Sequence, residues 1–192
     1  LDGLALLYAV SRVRRDVKVV TNRMLTHLEP LSSLFIPVDS IHGRTAKAAL
    51  QQMDHQLQAG GVLIFFPAGE VSRLTRRGIR DNKWHSGFIM LAAKYRAPLL
   101  PAWINAHNSA LFYASTLVSD NLPLLLLMQQ MFRRRNSSLP VRIGQQIPWS
   151  SWVDAKSSAR ELTGRCYQPL EQLRQGLPAQ CNTASALART ED

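Results

Sequence analysis

The chain has 192 residues, and its 23 Lys and Arg outweigh 13 Asp and Glu to give a net charge of +10. That length favours one domain, its 46% hydrophobic content can fill a core, and 19% charged residues is too few for a disordered chain. Two cysteines, Cys166 and Cys181, show no CxxC spacing, which argues against a disulfide framework or a zinc site, and no apolar run nears the ~20 residues that cross a bilayer.

In chain order, apolar strand-like runs alternate with helix-period stretches, the pattern of an α/β domain with a mostly parallel central sheet flanked by helices. Asp2 reads as the N-cap of a helix running to about Arg14. Residues 17–21 form a β-branched strand and 24–31 a short helix, while 34–38 is a strand whose Pro37 marks an edge or a bulge. The clearest helix spans 44–59, where Ala46, Ala49, Leu50, Met53 and Leu57 share one face and Gly60-Gly61 ends it. Residues 62–66 are apolar at every position, as in a strand covered on both faces. A helix at 86–95, an apolar strand at 98–104, a late strand at 141–144 and a helix at 153–173 follow. The domain is expected to cover 1–150, with a helical segment at 151–175 and a flexible tail at 176–192. The opening segment does not read as a signal peptide, and a start at Leu1 without Met reads as a piece of something longer.

Ligands of open α/β sheets bind beyond the carboxyl ends of the strands. The informative feature is therefore the loop after the most apolar strand, Phe66-Pro67-Ala68-Gly69-Glu70-Val71-Ser72-Arg73. Gly69 permits close backbone approach to a ligand, and Glu70 and Arg73 place opposite charges three residues apart. Arg76, Arg77, Arg80 and Lys83 add a strong positive field. No metal site is expected.

This block resembles the FPEGTR-type third motif of the glycerolipid (lysophosphatidic acid) acyltransferase superfamily, closest to its hemolysin-like or ornithine-lipid acyltransferase branch. Residues 34–39 resemble the second motif, and residues 84–88 and 97–102 the tract leading into the Pro-rich fourth. Residues 141–147 are similar to the late strand of such enzymes, so the resemblance covers about 1–150. The family's first motif is a His followed after four or five residues by Asp. Leu1-Asp2-Gly3-Leu4-Ala5-Leu6 resembles the end of that block, with Asp2 as its catalytic carboxylate. None of His27, His42, His55, His85 and His107 has an acidic residue at the matching distance, so the resemblance puts the catalytic His upstream of Leu1 and implies an inactive fragment.

The resemblance implies O-acyl transfer from acyl-CoA or acyl carrier protein to a lysolipid hydroxyl, with no bound cofactor. In such chemistry an imidazole takes the acceptor's proton, a carboxylate orients that imidazole, and fixed donors stabilise the oxyanion. It also implies substrate binding by Gly69, Glu70 and Arg73, with Arg73 gripping an anionic group. Two departures from the family pattern weaken the case for a glycerol-phosphate acceptor. The second motif has Val38-Asp39 where Arg is usual, and the third has Ala68-Gly69-Glu70 where Glu precedes Gly. Both favour another head group, such as that of a lyso-ornithine lipid.

Residues 122–135 join an apolar run containing Leu125 and Leu126 to Arg133, Arg134 and Arg135. This suits an interfacial helix with a basic collar on an anionic membrane, although a buried helix has similar length. Trp149 and Trp152 fit either interfacial anchoring or packing. The expected location is cytoplasmic and peripheral to the membrane. The alternatives are a non-catalytic membrane-binding remnant of the fold and a basic nucleic-acid-binding module. With 7% aromatics and no RNP, KH or zinc-finger signature, no nucleic acid is expected.

Overall fold

The β-branched run at 17–21 becomes strand β1 (Val17–Asn22), the middle strand of a three-stranded parallel sheet. The computed structural model describes residues 2–22, 29–38, 47–68, 73–75, 78–80, 84–104, 139–153 and 157–176. They belong to two compact units, Leu1–Trp84 with Ile104–Val141, and His85–Trp103 with Arg142–Asp192.

In the first unit, β1 buries Val17, Val19, Val20 and Thr21, so both of its faces are covered. Branched side chains suit this position because their restricted χ1 costs little on a pleated, packed surface. Strand β2 (Phe35–Val38) pairs with β1 on one side, with Val19 opposite Phe35 and Thr21 opposite Pro37. Strand β3 (Val62–Ile64) pairs on the other, with Val17 opposite Val62 and Val19 opposite Ile64. Pro37 thus lies in an outer strand, as its missing N–H requires. The doubly covered strand is β1 and not β3, of which only Ile64 is fully buried. A 3₁₀ helix (Glu29–Leu34) leads into β2; the rest of the helix expected at 24–31 lies outside the described residues.

Helix α1 (Asp2–Ser11) packs on β1 through Leu6 and Leu7 and ends one turn earlier than the sequence predicts. Helix α2 (Lys47–Gln58) rests on β2 and β3 and buries Ala49, Met53 and Gln56. Leu50, expected on its apolar face, is exposed, and the polar Gln56 occupies the buried stripe instead. Gln56 is accommodated because its Nε2 donates to the carbonyls of Asp16 (2.6 Å) and Val62 (3.3 Å). Gly60 ends the helix at φ +73°, a left-handed position that glycine adopts freely.

The same edge carries an ion pair. Arg14 donates to both carboxylate oxygens of Asp16, with Nε–Oδ1 at 2.8 Å, and to the Gly60 carbonyl at 2.8 Å. The hydrogen bond from Arg14 holds the Asp16 carboxyl below the usual carboxylate range. A carboxyl group depressed by folding adds stability above its unfolded pKa and loses it as pH falls through the folded value. Asp16→Asn should therefore melt slightly lower than the parent at neutral pH, with the difference vanishing in strong acid. Both partners are half-exposed, so the shift is small. Thermal melts across pH check this.

A feature absent from the expected elements follows β3. Strands β4 (Arg73–Thr75) and β5 (Gly78–Arg80) form an antiparallel hairpin with Arg73 opposite Arg80 and Leu74 opposite Ile79. Arg73 therefore begins a strand and does not sit in an open loop.

The second unit holds α3 (Gly87–Lys94), α4 (Trp149–Trp152) and α5 (Ala159–Arg174). Strands β6 (Ala102–Ile104) and β7 (Val141–Ile143) pair together. Ile89, Ala92, Ile147, Trp152 and Leu162 form the core of the second unit. Leu99 and Ile147 exchange backbone hydrogen bonds of 2.9 and 2.8 Å, extending the expected 98–104 strand only as an isolated bridge. The helix expected at 153–173 begins later, because Ser158 and Glu161 build a capping box. Arg142 closes its other end, donating to the carbonyls of Leu173 (2.9 Å) and Arg174 (3.2 Å).

Candidate functional site

Parallel pairing puts the carboxyl ends of β1, β2 and β3 on one edge of the sheet. Helix α1 returns to that edge for a geometric reason. Its 10 residues span ~15 Å, and the 6 residues of β1 run ~20 Å the other way. The short link at 12–16 turns the chain back on itself. The N-terminus of α1 therefore lies beside the exit of β3. A Cβ built on Gly3 would stand 3.5 Å from Cε2 and 3.7 Å from Cζ of Phe66. Phe66 remains 40% exposed, so its ring packs on α1 and still faces solvent.

This contact brings the start of the chain next to the third-motif segment. Asp2 is the first residue of α1, and Phe66-Pro67-Ala68 leads out of β3 beside it. The first amides of a helix have no intrahelical acceptor and carry partial positive charge. The edge thus combines free backbone donors, the neighbouring Asp2 position and a half-exposed aromatic ring. Chemically, that suits a reaction that develops negative charge on an oxygen next to an apolar chain.

The opposite edge is fastened. Gln56, Arg14, Asp16 and the backbone of Gly60-Gly61-Val62 tie the end of α2 and the starts of β1 and β3 together, including Val62 N to Asp16 O at 2.9 Å. Fixing one end of the strands fixes where α1 meets Phe66. An open depression of about 320 Å³ lies against α2, lined by Lys18, Ala48, Gln51, Gln52, His55 and Gln56. Neither Asp2 nor Phe66 lines it, so it is separate from the candidate site.

The other expected site residues divide as follows. Gly69 and Glu70 lie outside the described residues, as do Leu125, Leu126, Arg133, Arg134 and Arg135. Arg73 is placed by its backbone at the start of β4, in register with Arg80. The sequence reading missed the hairpin that sets this register. Its signal was a single apolar residue in each of two short polar runs, Leu74 and Ile79, but a link of Arg76-Arg77 carries no turn residue. The Gly3–Phe66 approach was also missed; a Gly directly after Asp2 was the available hint. Among the described residues no group of three or more His, Cys, Asp or Glu is placed to hold a metal ion.

Comparison with known proteins decides the family. Residues 1–168 match the profile of a family described as Acyltransferase. The chain belongs to that family. Two acyltransferase relatives are similar over 166 residues, 83% of this chain. A lyso-glycine lipid O-acyltransferase of Bacteroides thetaiotaomicron is 30% identical, with 61% of its length covered. Another of the same description, from Phocaeicola vulgatus, is 25% identical, with 59% covered. The chain thus spans about three fifths of these relatives. No solved structure matches the chain.

Proposed function

We propose that this acyltransferase moves a fatty acyl group from a thioester donor, acyl-CoA or acyl carrier protein, to the hydroxyl of a lysolipid at a membrane surface. The observation that carries the reading is the meeting of the α1 N-terminus with Phe66, which brings the Asp2 position beside the third-motif strand exit. In the proposed reaction the acceptor O–H gives its proton to an imidazole, which the family resemblance places upstream of Asp2. The oxygen attacks the thioester carbonyl, backbone amides hold the oxyanion, and the C–S bond breaks as the leaving thiolate takes the proton from the imidazolium. Asp2 orients the imidazole. Phe66 offers its open ring face to the acyl chain.

The named relatives act on a lyso-glycine lipid, and the Val38-Asp39 and Ala68-Gly69-Glu70 departures also point away from a glycerol-phosphate acceptor. The acceptor proposed here is a lysolipid with an amino-acid head group, whose carboxylate suits arginine. Arg73 and Arg80, opposite each other across the hairpin, are the proposed grip. Arg73→Ala and Arg80→Ala should each raise the acceptor KM about tenfold, the value of one charge-assisted hydrogen bond. Kinetics and melts on the same preparations separate this from a folding defect.

No helix among the described residues is long and apolar enough to cross a membrane. Contact with anionic lipid through 122–135, with Leu125 and Leu126 inserted and Arg133, Arg134 and Arg135 at the head groups, remains part of the proposal. Thiol release by a version extended upstream to carry the proposed imidazole, from acyl-CoA and acyl carrier protein and with lyso-glycine lipid and lysophosphatidic acid as acceptors, tests the whole reading. Turnover with the amino-acid lipid supports it. Thiol release with neither acceptor, or with lysophosphatidic acid alone, overturns it.

A further inference from the structure

The two tryptophans of α4 have opposite environments. Trp152 is 1% exposed in the core of the second unit, whereas Trp149, three residues earlier, is 36% exposed. The core therefore does not account for Trp149. Its ring is covered instead by Arg96, whose guanidinium carbon stands 5.2 Å from the ring centroid. Arg96 holds φ at +51° and is the one non-glycine residue with positive φ among the described residues. A side chain kept where glycine would fit more easily points to use of that side chain.

The pattern repeats beside it. Lys94 Nζ lies 5.0 Å from the centroid of the Tyr95 ring, and Met90, one turn before Lys94 on α3, is 58% exposed. One end of α3 and the start of α4 thus present two cations laid on two aromatic rings, with an exposed thioether alongside. Segments 84–104 and 139–153 contain no Asp or Glu, and the acidic residues on the helix packed against them, α5, are Glu161 and Glu171.

We propose that Met90, Lys94, Tyr95, Arg96 and Trp149 dock this acyltransferase on an anionic lipid surface. The inference rests on the proposed lysolipid acceptor, which lives in a bilayer, and gives the enzyme a contact separate from 122–135. Amphipathic rings beside cations suit the head-group layer, where the ring enters the apolar boundary and the charge stays with phosphate. Charge complementarity selects an anionic surface, since the chain carries +10 overall. Single-stranded nucleic acid fits less well, because Arg96 and Lys94 already occupy a ring face that bases would stack on.

Co-sedimentation of the full chain with phosphatidylcholine vesicles, with and without phosphatidylglycerol, tests the docking. The parent should bind the anionic vesicles and be released by salt. Arg96→Gly relieves the left-handed backbone, so it should melt at or above the parent temperature yet bind about fivefold more weakly, the worth of one cation near such a surface. Trp149→Ala should also bind more weakly, with a salt dependence like the parent's. Parental binding by both variants overturns the proposal, as does equal binding to neutral vesicles. An oligonucleotide bound with the same Arg96 dependence, without vesicle binding, overturns it in favour of nucleic acid. Vesicle binding needs no acyl donor, so if the chain binds vesicles while the version extended upstream releases no thiol, the acyl-transfer reading alone fails.

Discussion

In a version extended upstream to carry the proposed imidazole, Asp2→Asn is expected to lower acyl transfer to the lysolipid by ~10²–10⁴-fold while leaving the melting temperature close to that of the parent. The substitution keeps the shape of the side chain, so the contact between the α1 N-terminus and Phe66 is unchanged. What it removes is the negative charge proposed to hold an imidazole in its working tautomer. The loss should fall on kcat, because the carboxylate acts as charge develops and not in binding the acceptor. Gly3 supplies the structural control. A Cβ there would make an ordinary 3.5 Å contact with the Phe66 ring, so Gly3→Ala should keep most of the activity. Gly3→Leu should lose it by pushing α1 away from β3. Steady-state kinetics on the three variants decide the matter, and a parental kcat for Asp2→Asn removes the catalytic role.

How far the sequence reveals this arrangement depends on whether each feature is local. β1, β2, α2 and the Gly60 turn are legible, because a β-branched run, a 3.6-residue apolar period and a left-handed glycine each act within a few residues. The capping box at Ser158 and Glu161 was equally readable and marks the true start of α5. Strand order was not. The apolar run at 62–66 implies a fully covered strand, yet β3 pairs only with β1 among the described residues, and β1 holds the middle. Nor does periodicity say that Leu50 faces solvent while Gln56 is buried. That inversion depends on the carbonyls of Asp16 and Val62, which reach Gln56 from two other segments. In the candidate site, motif order identifies Asp2 and the block at 66–73, and only the antiparallel return of α1 along β1 brings the start of α1 against Phe66. Arg96 and Trp149 carry no sequence signal of their pairing, being 53 positions apart.

The largest stability loss is expected at Gly61. A Cβ there would stand 2.2 Å from Nε2 and 2.7 Å from Cδ of Gln56, and 3.0 Å from the Gln56 carbonyl oxygen. The amide can swing aside only by giving up both of its hydrogen bonds, to Asp16 and Val62. The carbonyl cannot move freely, since it accepts the 2.9 Å bond from Gly61 N that closes the end of α2. Overpacking of this kind costs ~1–3 kcal/mol and each of the two lost hydrogen bonds ~0.5–1.5 kcal/mol, so Gly61→Ala should destabilise the fold by about 2–6 kcal/mol. Gln56→Ala alone removes the bonds without the clash and should cost less. Combining the two changes relieves the side-chain overlap, so the double variant should be more stable than the sum of the single losses implies, by ~1 kcal/mol or more. Denaturant melts on the four proteins measure that coupling. Strict additivity would mean that the Gln56 amide does not occupy the space beside Gly61.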